Sequence, residues 1–200
     1  MDDTEFVGRE FSSPNTVPSK FCAMLERLAS QPPHEDRDVI EQHALSAIFL
    51  GITAVEAFTN IYSRTIAEEP EFIAHREPII RSLERRDATG KKLEILGIAL
   101  GRPIDKTDHR WVAFDQLREL RNRFVHFKTS YDTIQIPGIV MVGLVETSVF
   151  KELTTETPAN VILCVRGVIE LVGQARGVPP EHMHGFIQSQ LGLLGRFNPR

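Results

Sequence analysis

Ala44-Leu45-Ser46-Ala47-Ile48-Phe49-Leu50-Gly51-Ile52-Thr53-Ala54-Val55-Glu56-Ala57-Phe58 is apolar throughout, interrupted only by Ser46, Gly51, Thr53 and Glu56. A helix that is apolar nearly all round must have neighbours on most sides. The run therefore predicts a central helix, from about Asp36 to Ala67, with other helices packed around it. It falls short of the roughly 20 apolar residues needed to cross a bilayer.

Before it, Gln31-Pro32-Pro33 is a break, and Ser19 can cap a short helix to about Ser30 with Phe21, Met24, Leu25 and Leu28 on one face. Residues 1–18, with Pro14 and Pro18 among Ser, Asn and Thr, form a flexible N-terminal arm in this reading. After it, Pro70 opens a helix through Ile79, Ile80 and Leu83, with Pro78 as a kink or break. Thr89-Gly90 reads as a turn, and Leu93 to Leu100 as a short helix stopped by Gly101-Arg102-Pro103.

From about Asp108 to Lys128, Phe114, Leu117, Leu120, Phe124 and Phe127 recur at helical spacing. Residues 129–156 lose that period and suggest extended chain, with one hairpin turning at Pro137-Gly138. Thr157-Pro158 starts a helix that Gly177 ends, and Pro179-Pro180 starts the last one, ending near Gly195. The expectation is an all-α, up-and-down helical bundle spanning residues 19–200 as one domain, with a short irregular or β-hairpin insertion near 130–156.

Charge is uneven. Residues 1–80 hold 6 basic and 14 acidic side chains, whereas residues 81–128 hold 12 basic and 7 acidic ones. The positive excess lies where a nucleic-acid surface would need it, although solvated helix faces produce the same count. The acidic start, Met1-Asp2-Asp3-Thr4-Glu5, has no apolar core behind it and gives no signal-peptide pattern, so a cytoplasmic protein is expected. Cys22 and Cys164 match no metal spacing and read as buried thiols. Glu181-His182-Met183-His184 is not a zinc-helix spacing, because residues two apart point to different sides of a helix. No glycine-rich phosphate loop occurs, and no cofactor or metal is expected.

Chemistry concentrates in Arg121-Asn122-Arg123-Phe124-Val125-His126-Phe127-Lys128. Arginine grips a phosphate by charge and forked hydrogen bonds. Histidine moves a proton near neutral pH. On a helix, Asn122 and His126 share a face, Arg118 joins that flank, and Arg121 lies nearer the apolar stripe. Glu56 would be costly to bury alone, so an ion pair with Arg121 is expected. Such a pair would either hold Arg121 ready for phosphate or be structural only.

This segment resembles the RNase members of the HEPN superfamily, whose motif R-x(4–6)-H commonly has Asn after the Arg. The run Leu50 to Asn60, with Glu56, Phe58 and Asn60, is similar to the central helix of such proteins. The resemblance implies an all-α bundle, a two-fold homodimer with a composite site at its interface, and metal-independent RNA cleavage by 2′-OH attack. It casts His126 as general acid or base, Arg121 as transition-state stabiliser, Asn122 as the orienting group and Glu56 as a supporting residue. Arg118, Arg123 and Lys128 become candidate RNA contacts. A toxin or phage-defence role, held in check by an antitoxin or regulatory protein, would be in keeping with it. The alternative is a non-catalytic HEPN-like dimer serving as a binding or scaffold module.

Overall fold

The computed structural model describes residues 16–125, 131–136, 139–144 and 148–191, with side chains for 17–125 and 150–190. Eight α-helices and one two-stranded hairpin are present among them: α1 (Thr16–Ala29), α2 (Arg37–Glu68), α3 (Arg76–Glu84), α4 (Thr89–Ala99), α5 (His109–Val125), β1 (Tyr131–Ile136), β2 (Ile139–Leu144), α6 (Ser148–Lys151), α7 (Thr157–Ala175) and α8 (Pro180–Leu191). The protein is a helical bundle.

Helix α2 is its axis and packs against α1, α3, α4, α5 and α7. Asp36 starts it by accepting a hydrogen bond from Asp38 N at 2.9 Å. Ala44, Ile48, Val55, Phe58 and Ile66 are at most 1% exposed. The second core helix, α7, buries Val161, Ile162, Val165, Val168 and Ile169. The two meet where Gly51 removes a side chain, because a Cβ there would overlap Val161 Cγ1 and touch Val165 Cγ2 at 3.4 Å. Both helices carry apolar windows long enough to cross a membrane, with mean hydropathy 1.6 and 1.2, so the apolar length exceeds what the run 44–58 alone suggests. Half or more of each window is buried inside the bundle, as core helices require.

Several boundaries differ from the sequence reading. Helix α1 begins at Thr16, so Pro18 lies in its first turn, where a missing N–H costs nothing. The chain after Glu69 makes a 3₁₀ turn, Pro70–His75, before α3. Pro78 neither kinks nor breaks a helix, because it too falls in a first turn. Thr89-Gly90 is not a turn but the start of α4. Gly90 is buried there, under the guanidinium of Arg118 and the ring of Trp111. Thr157 lies inside α7, and its hydroxyl accepts Thr154 N at 3.0 Å. Gly101 and Gly177 do end α4 and α7, with φ of +83° and +80°. In each case the next residue donates back five positions, Arg102 N to Gly97 O and Val178 N to Gly173 O, which closes the helix end.

In the segment read as extended, β1 and β2 pair antiparallel, Tyr131 opposite Leu144 and Ile136 opposite Ile139. The turn at Pro137-Gly138, most of the N-terminal arm and the end of the last helix near Gly195 lie outside the described residues.

Candidate functional site

Helix α5 carries the Arg-Asn pair, and both of its ends are anchored. At its start, Asp108 accepts from Arg110 N at 2.9 Å, and its second oxygen takes Arg110 Nη2 at 2.6 Å. Arg110 also reaches α7 through Gln174 Oε1 at 2.9 Å and Glu170 Oε2 at 3.6 Å, its aliphatic stem lying over Gly167. The hydrogen bond from the Arg110 side chain, opposed by partial desolvation, holds the Asp108 carboxyl well below the usual carboxylate range. A depressed carboxylate contributes stability that is complete above its unfolded pKa, near 3.9, and is lost as pH falls below it. The unfolding midpoint of the wild type should therefore drop below about pH 4. Asp108→Asn, which keeps an N-cap but no charge, should drop less, and Asp108→Ala should lose about 1 kcal/mol at neutral pH. Urea melts across this pH range check all three; parallel wild-type and Asp108→Asn curves would refute the assignment.

At its C-terminal end, Phe124 packs edge-to-face on Phe150 of α6 with centroids 5.3 Å apart. Arg37, at the start of α2, donates to Phe150 O at 2.5 Å and Leu153 O at 3.0 Å. These bonds tie the segment 150–153 to the start of α2, and the ring contact ties it to the last turn of α5. Three arginines fall in the second half of α5, and Arg123 lies in its last turn, where the negative end of the helix dipole favours a cation.

The three have different surroundings. Arg118 Nη2 pairs with Asp115 Oδ1 at 2.7 Å, and its Nε is buried without a partner. Arg123 pairs twice with Glu152, at 2.8 and 3.1 Å. Arg121 is half-buried and donates from Nη1 to Asn122 Oδ1 at 3.1 Å, and no carboxylate lies within ion-pair distance of it among the described residues. Asn122 is exposed. The structure thus brings Arg121 and Asn122 together, and most of the Arg121 guanidinium donors have no partner among the described residues. His126 and Lys128 lie outside the described residues.

The expected Glu56–Arg121 pair is not formed. Glu56 is exposed, on the same face of α2 as Gln42, Phe49 and Thr53, which are exposed too. This narrow wet stripe removes the burial cost that would have demanded a cation. Two cations from other helices do meet α2 among the described residues: Lys92 of α4, which is 6% exposed and donates to Asn60 Oδ1 at 2.8 Å, and Arg176 after α7, which donates to Tyr62 Oη at 3.0 Å. Lys92 is the more buried. Its signal in the sequence is phase: Lys92 shares a helix face with the buried Leu96 and Ala99.

Cys22 and Cys164 are buried, and desolvation pushes each thiol up to about 12. His182 and His184 are exposed on α8, and among the described residues no three of His, Cys, Asp or Glu converge. Comparison with family models, characterised proteins and solved structures finds no match to this chain.

Proposed function

We propose that the protein is a HEPN-type, metal-independent endoribonuclease acting as a cytoplasmic homodimer. The observation that carries this reading is the guanidinium of Arg121, which donates to Asn122 near the end of an anchored helix and meets no carboxylate among the described residues. An arginine without a carboxylate keeps its fork for phosphate oxygens, and electrostatic aid fixed before reaction is worth most where charge develops. In the proposed reaction the ribose 2′-OH loses its proton and attacks the adjacent phosphorus. The P–O5′ bond breaks, leaving a 2′,3′-cyclic phosphate and a 5′-OH. His126 serves the proton transfers and Arg121 the charge on the phosphorane. Dimerisation is supported by Val125, an apolar side chain 46% exposed beside the pair. An antitoxin or another regulatory protein would then act by covering this end of α5.

The alternative, a non-catalytic binding or scaffold dimer, draws on Arg123 and Arg118, both already paired with carboxylates. The more exposed of the two, Arg123–Glu152, contributes about 0–1 kcal/mol and yields to a phosphate at low cost. Total RNA incubated with the purified chain in EDTA should give fragments ending in 2′,3′-cyclic phosphate. Intact RNA, or fragments with 3′-OH ends, would overturn the ribonuclease reading.

A further inference from the structure

On a face of α5 turned away from Arg121 and Asn122, neither of which lines it, α5 and the start of α7 enclose a cleft of about 500 Å³. Its apolar lining is Leu117 and Leu120 from α5 and Val161 and Cys164 from α7. Gln116 and Asn160 stand on opposite helices at its rim, and neither side-chain amide has a hydrogen-bond partner among the described residues. The Arg123–Glu152 pair lies along the same cleft. We infer that this cleft holds one unstacked base of a single-stranded RNA, with the Gln116 and Asn160 amides reading its edge. The inference rests on the ribonuclease reading and names its substrate subsite.

Three features favour a base. A flat heterocycle needs apolar contact on its face and donors and acceptors at its edge, and leucine side chains beneath two primary amides supply both. The volume lies within the range of small-ligand sites. The phosphate also has a place: Arg123 lies seven residues after Gln116, on the same face of α5, so the phosphate carried by the base's nucleoside meets a guanidinium that can exchange Glu152 for it.

The test uses the full chain labelled with ¹⁵N and the four nucleoside 5′-monophosphates, with ribose 5-phosphate as the probe lacking a base. The Gln116 and Asn160 side-chain amide resonances, assigned by their loss in Gln116→Ala and Asn160→Ala, should shift with at least one monophosphate and stay still with ribose 5-phosphate. Each substitution should weaken that binding about tenfold. Both positions are exposed, so each variant should remain folded. Still resonances at millimolar nucleotide, equal shifts with ribose 5-phosphate, or unchanged affinity in both variants would overturn the inference. The outcomes separate from those of the cleavage assay. Cleavage without these shifts removes the cleft and leaves the ribonuclease. Base-dependent shifts without cleavage keep the cleft as a nucleotide site and remove the ribonuclease.

Discussion

Arg121→Ala should lower RNA cleavage by about 10²- to 10³-fold, the loss found when one fixed group facing a developing oxyanion is removed. The fall should appear in kcat more than in KM, because the interaction is made chiefly in the transition state. Arg121→Lys should recover little, since a point charge cannot form the forked pair of bonds to phosphate oxygens. Stability should change by no more than about 0.5 kcal/mol, as expected for a side chain whose hydrogen bond among the described residues is to its exposed neighbour Asn122. His126→Ala should cost about 10²- to 10⁴-fold in the same assay, as removal of a proton-transfer group does. The double variant should be little worse than the weaker single one, because groups acting in one step do not add. Cleavage by Arg121→Ala at the wild-type rate would remove Arg121 from the mechanism. A melting temperature that collapses together with activity would assign Arg121 to the core instead.

The contrast between Arg121 and Glu56 shows where sequence reasoning reaches and where it stops. Helical period located α2, α5 and α7, because each buries a broad apolar face and the spacing of that face is written in the residues. Phase within α2 was less legible. Glu56 sits among apolar neighbours in the sequence, yet it falls on a strip of α2 that no other described helix covers. Which strip stays open depends on where α4 and α5 pack, and a local pattern does not carry that. The same limit hid Lys92, whose partner Asn60 is on another helix. It also hid Phe150 and Glu152, which meet α5 only because the hairpin returns the chain there. Glycine misled for a related reason. Gly90 reads as a turn residue, but its missing side chain makes room for Arg118 and Trp111.

Gly51 carries that lesson into a test. Helix propensity alone says that Gly51→Ala should stabilise α2 by about 1 kcal/mol. Packing says the reverse. The added methyl would overlap Val161 Cγ1, on a β-branched residue whose rotamer is restricted in a helix, with Val165 close behind. Overfilling a close-packed core costs about 1–3 kcal/mol, so the packing cost wins and the variant should be less stable than the wild type. Since a loss of 1 kcal/mol lowers the midpoint of a domain this size by about 2–4 °C, calorimetry can resolve it. Adding Val161→Ala should recover part of the loss, because the new methyl then occupies space the valine has left. Its coupling to Gly51→Ala should be favourable by about 1 kcal/mol in a double-mutant cycle. Val161 also lines the cleft beside α5. A shift of α7 away from α2 would therefore change the width of the proposed base site while leaving Arg121 and Asn122 on their own helix. Gly51→Ala should accordingly alter which RNA positions are cut more than the rate at the best one. A more stable Gly51→Ala protein would mean that α2 and α7 do not cross as closely as this geometry requires.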